Sequence, residues 1–225
     1  MRLGGLQKVS LIDYPGKVAC VIFTQGCNFR CGYCHNPGLV LPETFSDSLD
    51  PKDIFAFLHQ RKKYLQGVVV SGGEPTIHAD LIVFLSRIKE LGFAIKLDTN
   101  GSHPQRLQEA IHLGLLDFIA MDIKAPLHRY EHTVGVPCLE GNIKESMDIV
   151  IKSGIEHEFR ATVVKSLCAQ DDLAQMAGLA QGGSKFRLQK ARLEQGILDP
   201  QLISQEQYTD QEMERLKQQF EFQSV

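Results

Sequence analysis

Apolar runs of strand length alternate with amphipathic stretches of helix length along most of the chain. Residues 18–24 are apolar at nearly every position, the pattern of a strand covered on both faces. Residues 67–71, 93–97, 117–123, 156–164 and 185–189 also read as strands, most of them rich in β-branched or aromatic residues. Between them, residues 51–64, 80–91, 103–112, 144–153 and 171–181 carry apolar positions at helical spacing, and 209–220 close the series. Asp50 before Pro51 predicts a helix start, Gly92 a stop, and Thr209 a cap for the last helix. Six strands alternating with helices predict parallel βα units. Six units are too few for a closed eight-stranded barrel. The predicted fold is therefore α/β, a partial (β/α)6 barrel in which an open parallel sheet carries outer helices. Residues 39–49 are irregular and are expected to form a mobile lid. Nothing reads as a linker, so a single domain over residues 1–225 is expected.

Composition narrows the function classes. A net charge of −3 with both signs mixed gives no basic field, so nucleic acid is not an obligatory partner. Residues 1–16 lack the continuous apolar core of a secretion signal, and no stretch approaches the roughly 20 apolar residues of a membrane span. Six cysteines without a secretion signal point to reduced thiols and a cytoplasmic protein with no membrane partner.

Polar segments follow successive predicted strands, where parallel βα folds bind ligands. The first contains Cys27, Cys31 and Cys34 in C-x3-C-x2-C spacing. Three thiolates on one short loop can converge on a single soft metal centre. Zinc normally needs four ligands, and no second pair follows downstream. A [4Fe–4S] cluster usually takes four cysteines, so three leave one iron open to a ligand that is not protein. A zinc or disulfide loop is the alternative. Cys20 falls inside a strand and reads as core, while Cys138 and Cys168 lack the spacing of a second cluster site.

With Tyr33 before its last cysteine, this loop resembles the signature of the radical S-adenosylmethionine (SAM) enzymes. The resemblance implies a [4Fe–4S] cluster on Cys27, Cys31 and Cys34 whose open iron chelates SAM. Reductive cleavage of SAM then gives a 5′-deoxyadenosyl radical that abstracts hydrogen. Ser71-Gly72-Gly73-Glu74-Pro75 resembles the motif that meets the SAM amino group, which makes Gly72, Gly73 and Glu74 cofactor-binding. Cys34-His35-Asn36-Pro37, Leu97-Asp98-Thr99-Asn100-Gly101 and Met121-Asp122-Ile123-Lys124 resemble the activating enzymes of glycyl-radical enzymes. By that resemblance Asn36 contacts the adenine region, Lys124 approaches the SAM carboxylate, and Asp98, Thr99 and Asp122 hold a monovalent cation. Tyr33, Asp98 and Asn100 join the cofactor set. Arg160 matches an arginine that reaches SAM, or else pairs with Asp122; His35 is a SAM-side residue or merely orients its loop. Asp13-Tyr14-Pro15-Gly16-Lys17, a turn into the first strand, is similar to the anaerobic ribonucleoside-triphosphate reductase activating branch.

The implied function is an oxidoreductase that places a glycyl radical on a partner such as anaerobic ribonucleotide reductase. Its implied electron donor is a flavodoxin or ferredoxin. A radical SAM enzyme acting on a small molecule or RNA, such as a 7-carboxy-7-deazaguanine synthase, is the second reading. His35-Asn36 stands where those enzymes tend to carry Asp-Thr. A non-catalytic iron–sulfur or zinc protein is the third.

Overall fold

The computed structural model describes residues 1–138 and 140–223. Its strands are β1 (Leu3–Ser10), β2 (Ala19–Thr24), β3 (Gly67–Gly72), β4 (Ala94–Thr99), β5 (Phe118–Asp122), β6 (Glu156–Val163), β7 (Lys185–Lys190) and β8 (Phe222–Gln223). They form one sheet in chain order, with β1 and β8 at its ends. The helices are α1 (Pro37–Val40), α2 (Pro51–Arg61), α3 (Leu81–Glu90), α4 (Pro104–His112), α5 (Tyr130–Val134), α6 (Glu140–Lys152), α7 (Gln170–Leu179) and α8 (Asp210–Phe220). The six predicted strands and six predicted helices are all present, and among the described residues no helix is long and apolar enough to cross a membrane.

Two strands depart from the expected parallel sheet. β1 pairs antiparallel with β2, and β8 pairs antiparallel with β7, so the sheet is mixed. Leu-Gly-Gly-Leu-Gln-Lys-Val-Ser in β1 hides its strand character behind two adjacent glycines, and β8 is only two residues long. The helix expected over 51–64 stops at Arg61, and the one expected from 144 begins at Glu140.

The chain divides into two compact units. The first comprises Met1–Asn28, Gly38–Thr99 and Gln105–Ile119; the second comprises Phe29–Pro37, Asn100–Pro104 and Ala120–Val225. In the first, β2, β3 and β4 are parallel, with Cys20 beside Val68 and Val68 beside Ile95. Val68, Val69 and Val70 are fully buried on successive positions, as a strand covered on both faces demands. Each contributes about 1.5–3 kcal/mol of burial free energy. Leu81, Leu85 and Ile88, on one face of α3, are buried as well. The buried Tyr14 ring packs 6.0 Å from Phe118, and Lys17 N–H closes the preceding turn on the Tyr14 carbonyl at 3.2 Å. A side chain at Gly67 would meet that ring at 2.8 Å, which explains glycine at the start of β3.

Residues 39–49 are laced to the sheet edge. Leu49 N–H donates to the Leu3 carbonyl at 2.8 Å, Leu3 N–H to Ser48 Oγ at 2.9 Å, and Gln25 Nε2 to the Ser46 carbonyl at 3.0 Å. These bonds tie down the segment expected to be a lid.

In the second unit β6 and β7 are parallel, and the Phe186 and Phe222 rings of β7 and β8 pack 6.0 Å apart. Thr209 and Glu212 form a reciprocal capping box at the start of α8, which buries Met213 and Leu216.

Candidate active site

In the first unit the site segments are the ends of β2, β3 and β4. Gly26 N–H donates to the Leu39 carbonyl at 2.8 Å, and its own carbonyl accepts from Glu74 N–H at 2.8 Å. Gly73 N–H donates to the Thr24 carbonyl at 2.9 Å, so the turn after β3 lies directly against the chain that leads into Cys27. A Cβ on Gly73 would sit 2.0 Å from the Gly26 oxygen, and Gly72 has φ +114. Only glycine tolerates both the contact and the backbone angle. Glu74 is buried, and its Oε1 accepts from Thr76 N–H at 3.0 Å, Thr76 Oγ1 at 2.5 Å and Thr99 Oγ1 at 2.8 Å. Asp98 accepts from Ser71 Oγ at 3.0 Å and from Lys96 Nζ at 2.5 Å.

In the second unit, Cys34 N–H donates to the Cys31 carbonyl at 2.9 Å, turning the loop between the two thiols. Cys31 is buried and Cys34 half-buried. Burial pushes the Cys31 thiol above its usual pKa, against the pull of the Lys124 ammonium. The Tyr33 hydroxyl is buried without a hydrogen-bond partner among the described residues. Phe29 packs edge-on to Tyr130, whose hydroxyl accepts from Lys124 N–H at 3.2 Å. Asp122 receives Arg160 Nε on Oδ1 at 2.8 Å and Lys124 Nζ on Oδ2 at 2.9 Å. Burial alone would raise the Asp122 pKa; the two cations outweigh it and hold the carboxyl well below its usual range. Lys124 stays protonated far above neutrality because Asp122 more than offsets its burial. The buried Asn100 side chain folds back on its own loop, accepting from Ser102 N–H at 2.9 Å and Ser102 Oγ at 2.6 Å. Asn36 is exposed.

A segment that carries no motif completes the cysteine loop. Asp199 N–H donates to the Gly32 carbonyl at 2.8 Å, Leu198 N–H to the Cys34 carbonyl at 3.2 Å, and Arg192 N–H to His35 Nε2 at 3.2 Å. The acceptor role of Nε2 requires the neutral ring with its proton on Nδ1. His35 thus orients its loop against the chain after β7.

The sequence pattern of the radical SAM superfamily matches residues 21–172. The chain belongs to the radical SAM superfamily. A Methanocaldococcus jannaschii protein assigned as a glycyl-radical enzyme activating enzyme is 32% identical over 203 residues, 84% of this chain and 79% of its own. The pyruvate formate-lyase-activating enzyme of Clostridium pasteurianum is 27% identical over 192 residues, 79% of this chain and 75% of its own. Among solved structures, SuiB of Streptococcus suis bound to S-adenosylmethionine superposes with a TM-score of 0.67 at 18% identity, covering 88% of this chain and 45% of that one. This chain therefore spans less than half the length of SuiB, and the likeness shows the fold: the open, partial barrel of radical SAM proteins.

Radical SAM enzymes use a [4Fe–4S] cluster and SAM, and the chain's donor set fits both. No disulfide consumes Cys27, Cys31 or Cys34. Among the described residues no three His, Cys, Asp or Glu side chains already stand at metal-holding geometry, so the fit rests on three soft donors within eight residues. For the SAM carboxylate, Lys124 and Arg160 bring positive charge to Asp122, and Arg160 and Arg187 lie 4.0 and 3.9 Å from Glu158. A monovalent cation fits less well. Asp98 and Asp122 already hold protein cations, and Thr99 Oγ1 donates to Glu74.

Cys27, Gly72, Gly73, Glu74, Asp98 and Thr99 lie in the first unit; Cys31, Tyr33, Cys34, Asn36, Asn100, Asp122, Lys124 and Arg160 lie in the second. Glu74 and Asn100 were expected among the cofactor-binding residues; the Glu74 side chain accepts from Thr76 and Thr99, and that of Asn100 from Ser102. Sequence reasoning missed Lys96, whose i, i+2 spacing from Asp98 on a strand would have put both on one face. It also missed the contacts of Arg192, Leu198 and Asp199, which are donated by backbone N–H groups and so leave no signature in the donor's side chain.

Proposed function

We propose that this radical SAM enzyme is an activase that takes a hydrogen atom from a backbone glycine of a partner glycyl-radical enzyme. The observation that carries this reading is the 32% identity across 84% of the chain with a protein assigned to that role. His35-Asn36 after the third cysteine supports it over a small-molecule enzyme of the deazaguanine type. Cys27, Cys31 and Cys34 would hold the cluster. Lys124, beside Arg160 at Asp122, would draw the SAM carboxylate. The backbone of Gly72 and Gly73 would lie against the SAM amino group, and Asn36 would meet the adenine region. When bound, the reduced cluster supplies one electron to SAM, yielding methionine and a 5′-deoxyadenosyl radical that takes hydrogen from glycine Cα. The electron donor in this reading is a flavodoxin or ferredoxin, and the partner resembles anaerobic ribonucleotide reductase.

Anaerobic protein reconstituted with iron and sulfide, then given dithionite and SAM, should make 5′-deoxyadenosine slowly when alone. Adding the glycyl-radical enzyme encoded nearest its gene should raise the yield toward one equivalent per partner glycine. A yield indifferent to every glycyl-radical enzyme of the source genome contradicts the activase reading and leaves the radical SAM assignment standing.

A further inference from the structure

Lys96 is a lysine in the wall of the site that the proposed chemistry does not use. It lies on β4, two residues from Asp98, and its side chain is 3% exposed. An ammonium this buried persists only when paired. Its Nζ donates to Asp98 Oδ1 at 2.5 Å and lies 5.9 Å from the centre of the Phe118 ring. Asp98 Oδ2 accepts from Ser71 Oγ at 3.0 Å. Both oxygens of Asp98 are therefore engaged by the protein, one of them by a full positive charge. A soluble cation at Asp98 would have to share the carboxylate with an ammonium already in contact, and like charges at such range repel strongly where water is scarce. The second unit follows the same rule, with Arg160 and Lys124 on Asp122.

We propose that Lys96 is a built-in counter-charge for Asp98, standing where a soluble monovalent cation would otherwise be needed, so that SAM binding by this chain is independent of potassium and sodium. The ammonium has an advantage over a free ion. It is tethered to a strand, costs no binding entropy, and holds the Asp98 carboxylate in one orientation toward Ser71. The inference rests on SAM binding at this site and adds the identity of the charge beside it.

The test compares wild type, Lys96→Met and Lys96→Arg in buffers whose only cation is tetramethylammonium, with potassium titrated in. Three signals are read: thallium(I) NMR of the cluster-free protein, the melting temperature of the same protein, and SAM affinity of the reconstituted protein from the change in its EPR spectrum. Wild type should bind no thallium at Asp98, melt at a temperature unaffected by potassium, and bind SAM equally with and without it. Lys96→Arg should behave likewise. Lys96→Met should lose about tenfold or more in SAM affinity without potassium, the ratio matching a lost charge-assisted contact. Potassium should restore it and raise the melting temperature. A thallium signal in wild type that Asp98→Asn abolishes, or SAM binding in wild type that requires potassium, overturns the proposal. So does full SAM affinity of Lys96→Met in tetramethylammonium alone. If Lys96→Met fails to fold, the wild-type signals still decide. An absence of SAM binding in every buffer strikes the SAM site itself and removes this inference with it.

Discussion

Thr99 Oγ1 donates a hydrogen bond to Glu74 Oε1 at 2.8 Å, joining the end of β4 to the turn that follows β3. The same oxygen accepts from the backbone and hydroxyl of Thr76, so one buried carboxylate organises the turn carrying Gly72 and Gly73. The Gly-Gly-Glu run thus divides its labour. Its glycines allow the backbone to approach its neighbours closely, and its glutamate fixes where that backbone stands.

Glu74→Ala should therefore act first on folding. It leaves buried donors on Thr76 and Thr99 without their acceptor and should cost about 1.5–3 kcal/mol. Thr99→Val removes one of these bonds and should cost about 1 kcal/mol. Chemical denaturation of the cluster-free protein measures both. A Glu74→Ala protein as stable as wild type, with reduced SAM affinity alone, would make Glu74 a ligand and not a brace.

Gly73→Ala puts a methyl group 2.0 Å from the Gly26 carbonyl oxygen, one residue before Cys27. Backbone on both sides leaves no flexible side chain to yield. The expected cost is about 3 kcal/mol, the upper end for overpacking. Iron bound per chain after anaerobic reconstitution should fall with it. By contrast Gly178, inside α7, has nothing within 4 Å of an added Cβ, so Gly178→Ala should stabilise by about 0.5–1 kcal/mol and leave iron content unchanged.

The contact of the 192–202 segment with the cysteine loop gives a third expectation. A Cβ at Gly32 would lie 3.1 Å from both Asp199 Cβ and Leu202 Cδ1. Gly32→Ala should push that segment off the loop, at about 1–2 kcal/mol. The reconstituted cluster should then bleach faster in air than in wild type. Equal bleaching rates would mean that the segment does not shield or position the cluster loop.

Much of this arrangement was legible in the chain. The β2 and β3 strands announced themselves through apolar runs, because burial on both faces leaves few polar positions, and β4 through Phe93, Ile95 and Leu97 around the buried Lys96. Cys27, Cys31 and Cys34 pointed to a candidate site, because three soft donors in eight residues have few other uses. β1 was not legible, since Gly4 and Gly5 remove the side chains that alternation is read from. The motif named Glu74 and Asn100 but could not show the bonds their side chains make to Thr76, Thr99 and Ser102, because those depend on the folded turn. The Arg160–Asp122 pair was weighed as an alternative and is present at 2.8 Å. The bonds from Leu198 and Asp199 were beyond reach, because any residue except proline can donate a backbone N–H.

The C-terminal helix offers a pH test away from the site. Thr209 and Lys165 hold the Glu212 carboxyl down at about 2, with the Thr209 N–H the largest cause. A depressed carboxylate stabilises the fold above its unfolded pKa of about 4.3 and loses that contribution as pH falls toward the folded value. Wild type should therefore lose more stability than Glu212→Gln between about pH 4.5 and pH 2. Hydrogen exchange in α8 reads the difference. Parallel pH profiles for the two proteins would rule out the capping box as its source.

The proposed function stands or falls on whether the abstracted hydrogen comes from glycine in a protein partner. EPR of the reduced enzyme with SAM and the partner decides it, the partner made once with ordinary glycine and once with α-deuterated glycine. A doublet should appear on the partner from coupling to the remaining α-hydrogen. With deuterated glycine that doublet should collapse toward a single line, and one deuterium should appear in 5′-deoxyadenosine. Cleavage of SAM with no partner radical and no deuterium transfer from any glycyl-radical enzyme of the source genome would contradict the activase function.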